Sequence, residues 1–534
     1  MRIAVYNRFL TTLGGGERYM LKIAEILGRH AEVDVLSQTL VSHDVIRARL
    51  GIDVDHVNMV RLPDDATGTV EKASADYDLF INASHLDPVS SRARASVLLV
   101  YFPSARSTGW RSLVRRAVEQ YARPLLCIPV LDGGFGPEEW SGDTPFRWTN
   151  GEGRVKLSTR NGSPPELSVR LASFRHDNTG PEVVFASGSH EIAVVNVPPG
   201  SDFREFRITP TQKEDGVFQL SIRSDTFEPP AIVNDRRRLG VAVGTISPVG
   251  WRKRVARHTV ERLSFRPGEE LHTEWPSRTP RYVTSYDSIW TISKFVRYWT
   301  ERYWDTRSSL INPPVDVEGI QALGLWPKEN LILNVGRFFE GHHNKKHIEM
   351  IRAFGGMVDA GLRGWTLVLV GGSSEEPVHR EYLRRVRSEA AGLPVVIAPD
   401  IPYSELLNLY SRASIYWHAT GLDEDERRDP AAMEHFGITT VEAMAASCVP
   451  VVIRRAGQSE IVSHQQNGLL WNDLEGLKAS TWAVISDPTL RSKLSAAARC
   501  RSLDFSHREF ERKLLRLVDA VAPLRRRQYA DAVN

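Results

Sequence analysis

The sequence predicts an α/β protein of two Rossmann-like halves facing across a cleft, with a jelly-roll-like β-sandwich inserted in the N-terminal half. Three observations carry this expectation. The chain opens as strand, glycine turn and helix. A second series of short apolar strands alternating with helices begins near residue 330. Between about residues 131 and 245 the pattern changes to period two, with frequent turns and no good helix.

The whole chain narrows the choices further. At 534 residues it is too long for one core. A content of 42% hydrophobic and 25% charged residues is that of an ordinary globular protein. A net charge of +3 gives no reason to expect a nucleic-acid partner. Three scattered cysteines, Cys127, Cys448 and Cys500, exclude a disulfide framework and point to a reducing, cytoplasmic setting. The chain enters its first strand at once, so no signal peptide is expected. It has no apolar run of about 18 to 20 residues, so no transmembrane helix is expected either.

In order, Ile3 to Tyr6 reads as a buried strand, Gly14-Gly15-Gly16 as the turn and Glu17 to Leu27 as a helix striped by Met20, Leu21, Ala24 and Leu27. Val33–Leu36, Leu79–Asn82 and Val97–Val100 continue the strand series. The period-two region holds Leu167–Leu171, Glu182–Phe185, Ile192–Val195 and Phe218–Ile222. Ser288–Ser293 resumes the buried-strand style, and a helix follows through Phe295, Trp299 and Tyr303. Asn312-Pro313-Pro314-Val315 reads as an extended linker, because proline excludes helix and lacks a sheet donor. Beyond it come strands at Leu331–Val335, Thr366–Val370, Val395–Ala398, Ile415–Trp417 and Val449–Ile453, then an amphipathic helix over about Ser506–Ala520 and the basic tail Arg525-Arg526-Arg527. The expected domains are 1–130 with 246–314, the insertion 131–245, the second half 315–505, and the C-terminal helix and tail 506–534.

Two such halves make a cleft, and open α/β sheets place ligands beyond the carboxyl ends of their strands. The strongest motif there is Glu434-His435-Phe436-Gly437-Ile438-Thr439-Thr440-Val441-Glu442. A helix is expected to begin near Thr439, with Glu434 in the loop ahead of it and Glu442 in its first turn. Carboxylates at both positions can face one cleft, one accepting from a sugar's hydroxyls and one from a ribose diol. The helix N-terminus offers N–H groups to a phosphate. By itself, Thr439-x-x-Glu442 also fits a helix capping box.

A second motif, Asn334-Val335-Gly336-Arg337-Phe338 followed by Asn344-Lys345-Lys346-His347, places two cations where they can converge on a diphosphate. Negative charge grows on that group as the bond from sugar to phosphate breaks, so fixed cations stabilise the transition state most. The third motif is the glycine run, whose lack of side chains permits close approach to a ligand. A tight strand-to-helix turn is its plainer reading, and no Gly-Lys-Ser/Thr makes it a Walker loop.

Together the first motif, Pro450-Val451-Val452, Gly457-Gln458-Ser459-Glu460-Ile461-Val462 and Asn467-Gly468-Leu469-Leu470 resemble glycosyltransferase family 4, retaining enzymes of the GT-B fold. The resemblance implies transfer of a sugar from a nucleoside diphosphate sugar to a hydroxyl, with the donor phosphate taking the acceptor's proton. It implies catalytic roles for Glu434, Arg337 and Lys345, with Lys345 matching the spacing back from Ala353-Phe354 and Lys346 one residue off. Glu442, Phe436, Gly437, Ile438, Thr439 and Gly336 are the expected donor-binding set, and Gly14, Gly15, Gly16 and Tyr101 the loop near acceptor and phosphate. Where the family often carries a histidine, this chain has Tyr101-Phe102-Pro103. Either Tyr101 supplies a hydroxyl or the contact is lost, and His85 is a second candidate with a structural alternative.

Cationic side chains in place of a metal are implied, so no metal or other cofactor is expected beyond the nucleotide-sugar co-substrate. Asp423-Glu424-Asp425, similar to a metal-binding Asp-x-Asp, reads as a solvated loop, as does Asp53-Val54-Asp55. The Glu-His-Phe-Gly form resembles mannosyltransferases of the family, making GDP-mannose the first expected donor with a UDP-sugar open. The acceptor is expected to be a glycan or lipid-linked hydroxyl. Trp110–Arg123 and Trp251-Arg252-Lys253-Arg254 are basic and aromatic, suiting peripheral contact with an anionic membrane at its inner face, or simply packed helix with solvated arginines. Rival readings are a sugar phosphorylase, a nucleotide-sugar epimerase, or a glycan-binding protein without activity.

Overall fold

The computed structural model describes residues 1–63, 66–104, 127, 129–141, 144–159, 162–175, 179–214, 217–229, 237–249, 280–324, 326–341 and 343–523. The basic stretches at Trp110–Arg123 and Trp251–Arg254, and the tail Arg525–Arg527, lie outside them.

The N-terminal half is a seven-stranded sheet in the order Ser309–Leu310, Ser288–Thr291, Ala95–Val100, Leu79–Asn82, Arg2–Tyr6, Glu32–Ser37, Val57–Arg61. Every neighbouring pair is parallel. The C-terminal half is a six-stranded parallel sheet, Val395–Pro399, Thr366–Gly371, Glu329–Val335, Ala413–His418, Val449–Ile453, Leu469–Trp471. The period of two sorts its strands between cores: Leu331, Leu333 and Val335 pack toward the core shared with the N-terminal half, and Ile332 toward the opposite face.

Between the strands Ala95–Val100 and Ser288–Thr291, the chain from Val130 to Pro248 forms two antiparallel sheets. Leu167, Val169 and Leu171 of one sheet and Val183, Phe185, Leu220 and Ile222 of the other close one core, the packing of a sandwich. Among the described residues, its polar contacts with the N-terminal half fall at the amino ends of the strands. Asn150 Nδ2 donates to Asp287 Oδ1 (3.5 Å), Arg147 Nη1 to Thr284 Oγ1 (3.2 Å), and Arg94 pairs with Glu228 (2.9 Å). That edge is opposite the carboxyl ends that border the cleft.

Residues 311–314 run extended, and Val315 bridges to Ser506. The last helix, His507–Val521, returns to the first half: Phe510 packs edge-on against Tyr19 at 5.3 Å, and Arg29 pairs with Glu511 at 3.6 Å. Two halves joined by a linker and by a returning helix bring their carboxyl edges face to face.

Candidate active site in the cleft

The donor loop follows the strand Ala413–His418 and leads into the helix Ile438–Ala445. Gly437 is its N-cap, with φ of 118°, a backbone that L side chains rarely adopt. A Cβ there would also lie 2.2 Å from Gln458 Nε2. Two details correct the sequence reading. The helix starts at Ile438, so Glu442 is its fifth residue and sits in the second turn. No side-chain cap forms either, so the capping-box reading of Glu442 falls.

Glu434 accepts from Lys345 Nζ at 2.7 Å and faces His418 Nε2 at 3.1 Å, both on Oε2. Burial alone would raise its carboxyl, but the Lys345 ammonium, with His418 and His343, holds it well below the usual glutamate value. Lys346 instead pairs with Glu424 at 2.8 Å. The Lys345 stem crosses Gly336, where a Cβ would lie 2.5 Å from Lys345 Cγ. Gly336 must therefore be glycine for the ammonium to reach the cleft. Arg337, next in sequence, is exposed; its guanidinium lies 4.7 Å from the Phe339 ring centroid, with no carboxylate partner among the described residues.

Glu442 is 3% exposed and bridges the halves. Its Oε1 accepts from Arg18 Nη1 of the first helix at 3.2 Å, and its Oε2 from the Tyr410 hydroxyl at 3.0 Å. Burial raises its carboxyl above the ordinary value, although Arg18 and Tyr410 oppose that shift. The two carboxylates of one motif are thus pushed in opposite directions.

Further contacts close the cleft. A Cβ on Gly15 would meet Ile438 Cδ1 at 3.5 Å. His435 stacks on Phe102 of the first half, with centroids 4.3 Å apart and rings 11° from parallel. Glu460 accepts the N–H groups of Lys294 and Phe295 at 2.8 and 2.6 Å, capping the helix Lys294–Trp304 across the domain boundary.

Other expected site residues fall differently. Phe436 is 2% exposed and packs edge-on against Phe505 at 5.4 Å, so its side chain belongs to the core and not to a donor pocket. Thr439 accepts from the Tyr416 hydroxyl at 2.7 Å, which fixes its side chain. Gly14 is the N-cap of the helix Gly15–Gly28, so Gly15 and Gly16 are its first two residues and only the start of the run is turn. The Tyr101 hydroxyl donates to Gly16 O at 2.9 Å and is raised well above the usual tyrosine value by burial. That bond ties Tyr101 to the glycine loop. The ring of His85 lies edge-on to Tyr101 at 6.1 Å.

Sequence reasoning missed Arg18, Tyr410 and His418, and quoted His435 without giving it a role. Arg18 carried a faint signal, a cation one turn into the helix behind the glycine run. His418 lay one residue past the expected end of its strand. Among the described residues, Asp316, Glu318 and His507 group closely enough to hold a metal. Asp316 instead caps Gly319 N at 3.0 Å, and Glu318 accepts His507 N at 3.3 Å.

With this geometry established, comparison with known proteins is informative. Residues 318–501 match the family glycosyl transferases group 1. The chain is similar to the Xenopus laevis GDP-Man:Man(3)GlcNAc(2)-PP-Dol alpha-1,2-mannosyltransferase, at 28% identity over 251 residues, 44% of this chain and 47% of that protein. The Homo sapiens protein of the same name is 27% identical over 254 residues, 44% of this chain and 48% of its own length. The chain therefore spans about half the length of the curated relatives it matches. Among solved structures, a glycosyltransferase from Rickettsia africae superposes with a TM-score of 0.51 at 12% identity, covering 97% of this chain and 98% of that one. Anabaena HepE in complex with UDP gives 0.51 at 11% identity, covering 97% and 100%. The fold is GT-B, two facing α/β domains, with a separate antiparallel domain in the N-terminal half.

Proposed function

We propose that the protein is a retaining glycosyltransferase of the family 4 type that moves mannose from GDP-mannose to a hydroxyl of a lipid-linked glycan. The bond from sugar C1 to the diphosphate oxygen breaks, a bond from the acceptor oxygen to C1 forms on the same face, and the acceptor's proton passes to the departing phosphate. Arg337 and Lys345 neutralise the diphosphate without a metal, Glu434 accepts from the sugar hydroxyls and Glu442 from the ribose. The observation that carries this reading is the Lys345–Glu434 bond, with Arg337, which has no carboxylate partner among the described residues, at the carboxyl end of a strand of the same sheet. The mannosyltransferase names of the relatives support the donor, and their dolichol-linked substrate supports the acceptor class.

A membrane-proximal acceptor suits one further feature. Phe9, Leu40 and Leu86, 45 to 54% exposed, follow three adjacent strands of the N-terminal sheet at its carboxyl edge. That is an apolar rim able to rest on a bilayer surface. No helix among the described residues is long and apolar enough to cross a membrane; the contact proposed is peripheral, at the cytoplasmic face.

The test offers purified protein GDP-mannose, UDP-glucose and UDP-N-acetylglucosamine, with a polyprenyl-linked oligosaccharide as acceptor. Mannose transfer with retained configuration is expected, and a Glu434→Ala variant that folds but transfers nothing. Transfer from a UDP-sugar alone would overturn the donor, and wild-type transfer by the variant would overturn the site.

A further inference from the structure

His418 ends the strand Ala413–His418 and is 1% exposed. Its Nε2 lies 3.1 Å from Glu434 Oε2 and 3.4 Å from the Thr420 hydroxyl, while its Nδ1 is buried with no hydrogen-bond partner. Burial lowers the imidazole below the ordinary histidine value, although Glu434 opposes this. A neutral ring facing a carboxylate carries its hydrogen on Nε2, which leaves Nδ1 a bare acceptor with no partner among the described residues. Leaving such a nitrogen unsatisfied is costly, and an apolar residue would fill the space at no such cost.

The second observation concerns Lys345, which reaches the same Oε2 at 2.7 Å. In the proposed reaction, on which this inference rests, that ammonium must serve the diphosphate. A phosphate entering the cleft competes for it directly, since a carboxylate and a diphosphate cannot both hold one ammonium at full strength. A neutral imidazole is not drawn away in the same manner. Glu434 otherwise has Lys345 and His343 from the loop ahead of the helix His347–Asp359, His435 beside it and Tyr416 from the strand as its titratable neighbours. Of these, only Lys345 and His418 contact its carboxylate within hydrogen-bond distance among the described residues.

We infer that His418 is a positioning residue that holds Glu434 when Lys345 turns to the diphosphate. It fixes Oε2, keeps the carboxylate in one rotamer and leaves Oε1 for the sugar hydroxyls. In the unliganded cleft Lys345 shares this task, and in the occupied cleft His418 carries it alone.

The experiment compares wild type, His418→Leu and His418→Gln, whose amide N–H lies near the place of Nε2. Calorimetry with GDP and with GDP-mannose separates the nucleotide contact from the sugar contact without requiring turnover. In His418→Leu, affinity for GDP is expected to stay within twofold, the preference for GDP-mannose over GDP to vanish, and kcat to fall at least tenfold. The acid limb of kcat is expected to move to higher pH as Glu434 loses a donor, and His418→Gln to restore most of each loss. A merely structural histidine would lower Tm in both variants and leave the GDP-mannose preference and the acid limb in place. That result, or no recovery in His418→Gln, overturns the inference alone. A wild type that binds no nucleoside diphosphate overturns the functional reading and this inference with it.

Discussion

Removing Arg18 should tighten nucleotide binding. Glu442, the carboxylate assigned to the ribose, is 3% exposed and is held by Arg18 of the opposite half. A ribose diol cannot reach it until that contact opens, so the ion pair and the nucleoside compete. At 3.2 Å and an effective dielectric of about 20, the attraction is about 5 kcal/mol. Most of this offsets the desolvation of two groups. Burial still wins at Glu442, whose carboxyl remains raised despite Arg18. A net hold of about 1 kcal/mol on the closed state follows, a factor of about five in a binding constant. Arg18→Met keeps the bulk of the side chain and removes the charge. Calorimetric titration with GDP should give a Kd about fivefold lower than wild type, and small-angle scattering a more open unliganded shape. An unchanged or weaker affinity would refute the competition and make Arg18 a nucleotide ligand instead.

Three other outcomes follow from the site. As pH falls, Glu442 takes its proton first, because burial raises it, and Glu434 last, because Lys345 holds it low; KM for the donor should therefore rise at a higher pH than kcat declines, and the reverse order in separate profiles would refute the assignment. Gly437→Ala adds a Cβ 2.2 Å from Gln458 Nε2 at a φ of 118°, so a loss of about 2 kcal/mol or more is expected in thermal or denaturant unfolding, with weakened donor binding. Lys345→Met should lower kcat about a hundredfold, as loss of a transition-state cation does, whereas Lys346→Met breaks only its pair with Glu424 and should stay within about threefold.

Much of this architecture was legible because it is written locally. The parallel strands announce themselves by short apolar runs and the sandwich by period two. What was not legible depends on the meeting of distant segments. Arg18 and Glu442 are 424 residues apart, and nothing in either neighbourhood names the other. Phe436 sits inside the donor motif yet turns inward, because Phe505 of the C-terminal segment supplies a partner. The docking of the sandwich at the amino edge of the first sheet draws on Asp287, Thr284 and Glu228, residues with no pattern of their own.

The competition at Glu442 and the sharing of Lys345 make one charge rearrangement out of two contacts. In the unliganded cleft each carboxylate of the motif is neutralised by a cation, Glu434 by Lys345 of its own half and Glu442 by Arg18 of the other. A nucleoside diphosphate sugar carries a group for three of these four: phosphates for Lys345, a diol for Glu442 and hydroxyls for Glu434. Binding therefore exchanges internal ion pairs for contacts with the donor, and only the Glu442 exchange alters how the halves are held. A double-mutant cycle on GDP affinity tests that division. Arg18→Met and Glu442→Gln share one contact, so their effects should fail to add by about 1 kcal/mol, whereas Arg18→Met and Lys345→Met, which act on separate carboxylates, should add within about 0.5 kcal/mol. Additivity in the first pair would show that Arg18 does not compete for Glu442, and coupling in the second that the two ion pairs move as one.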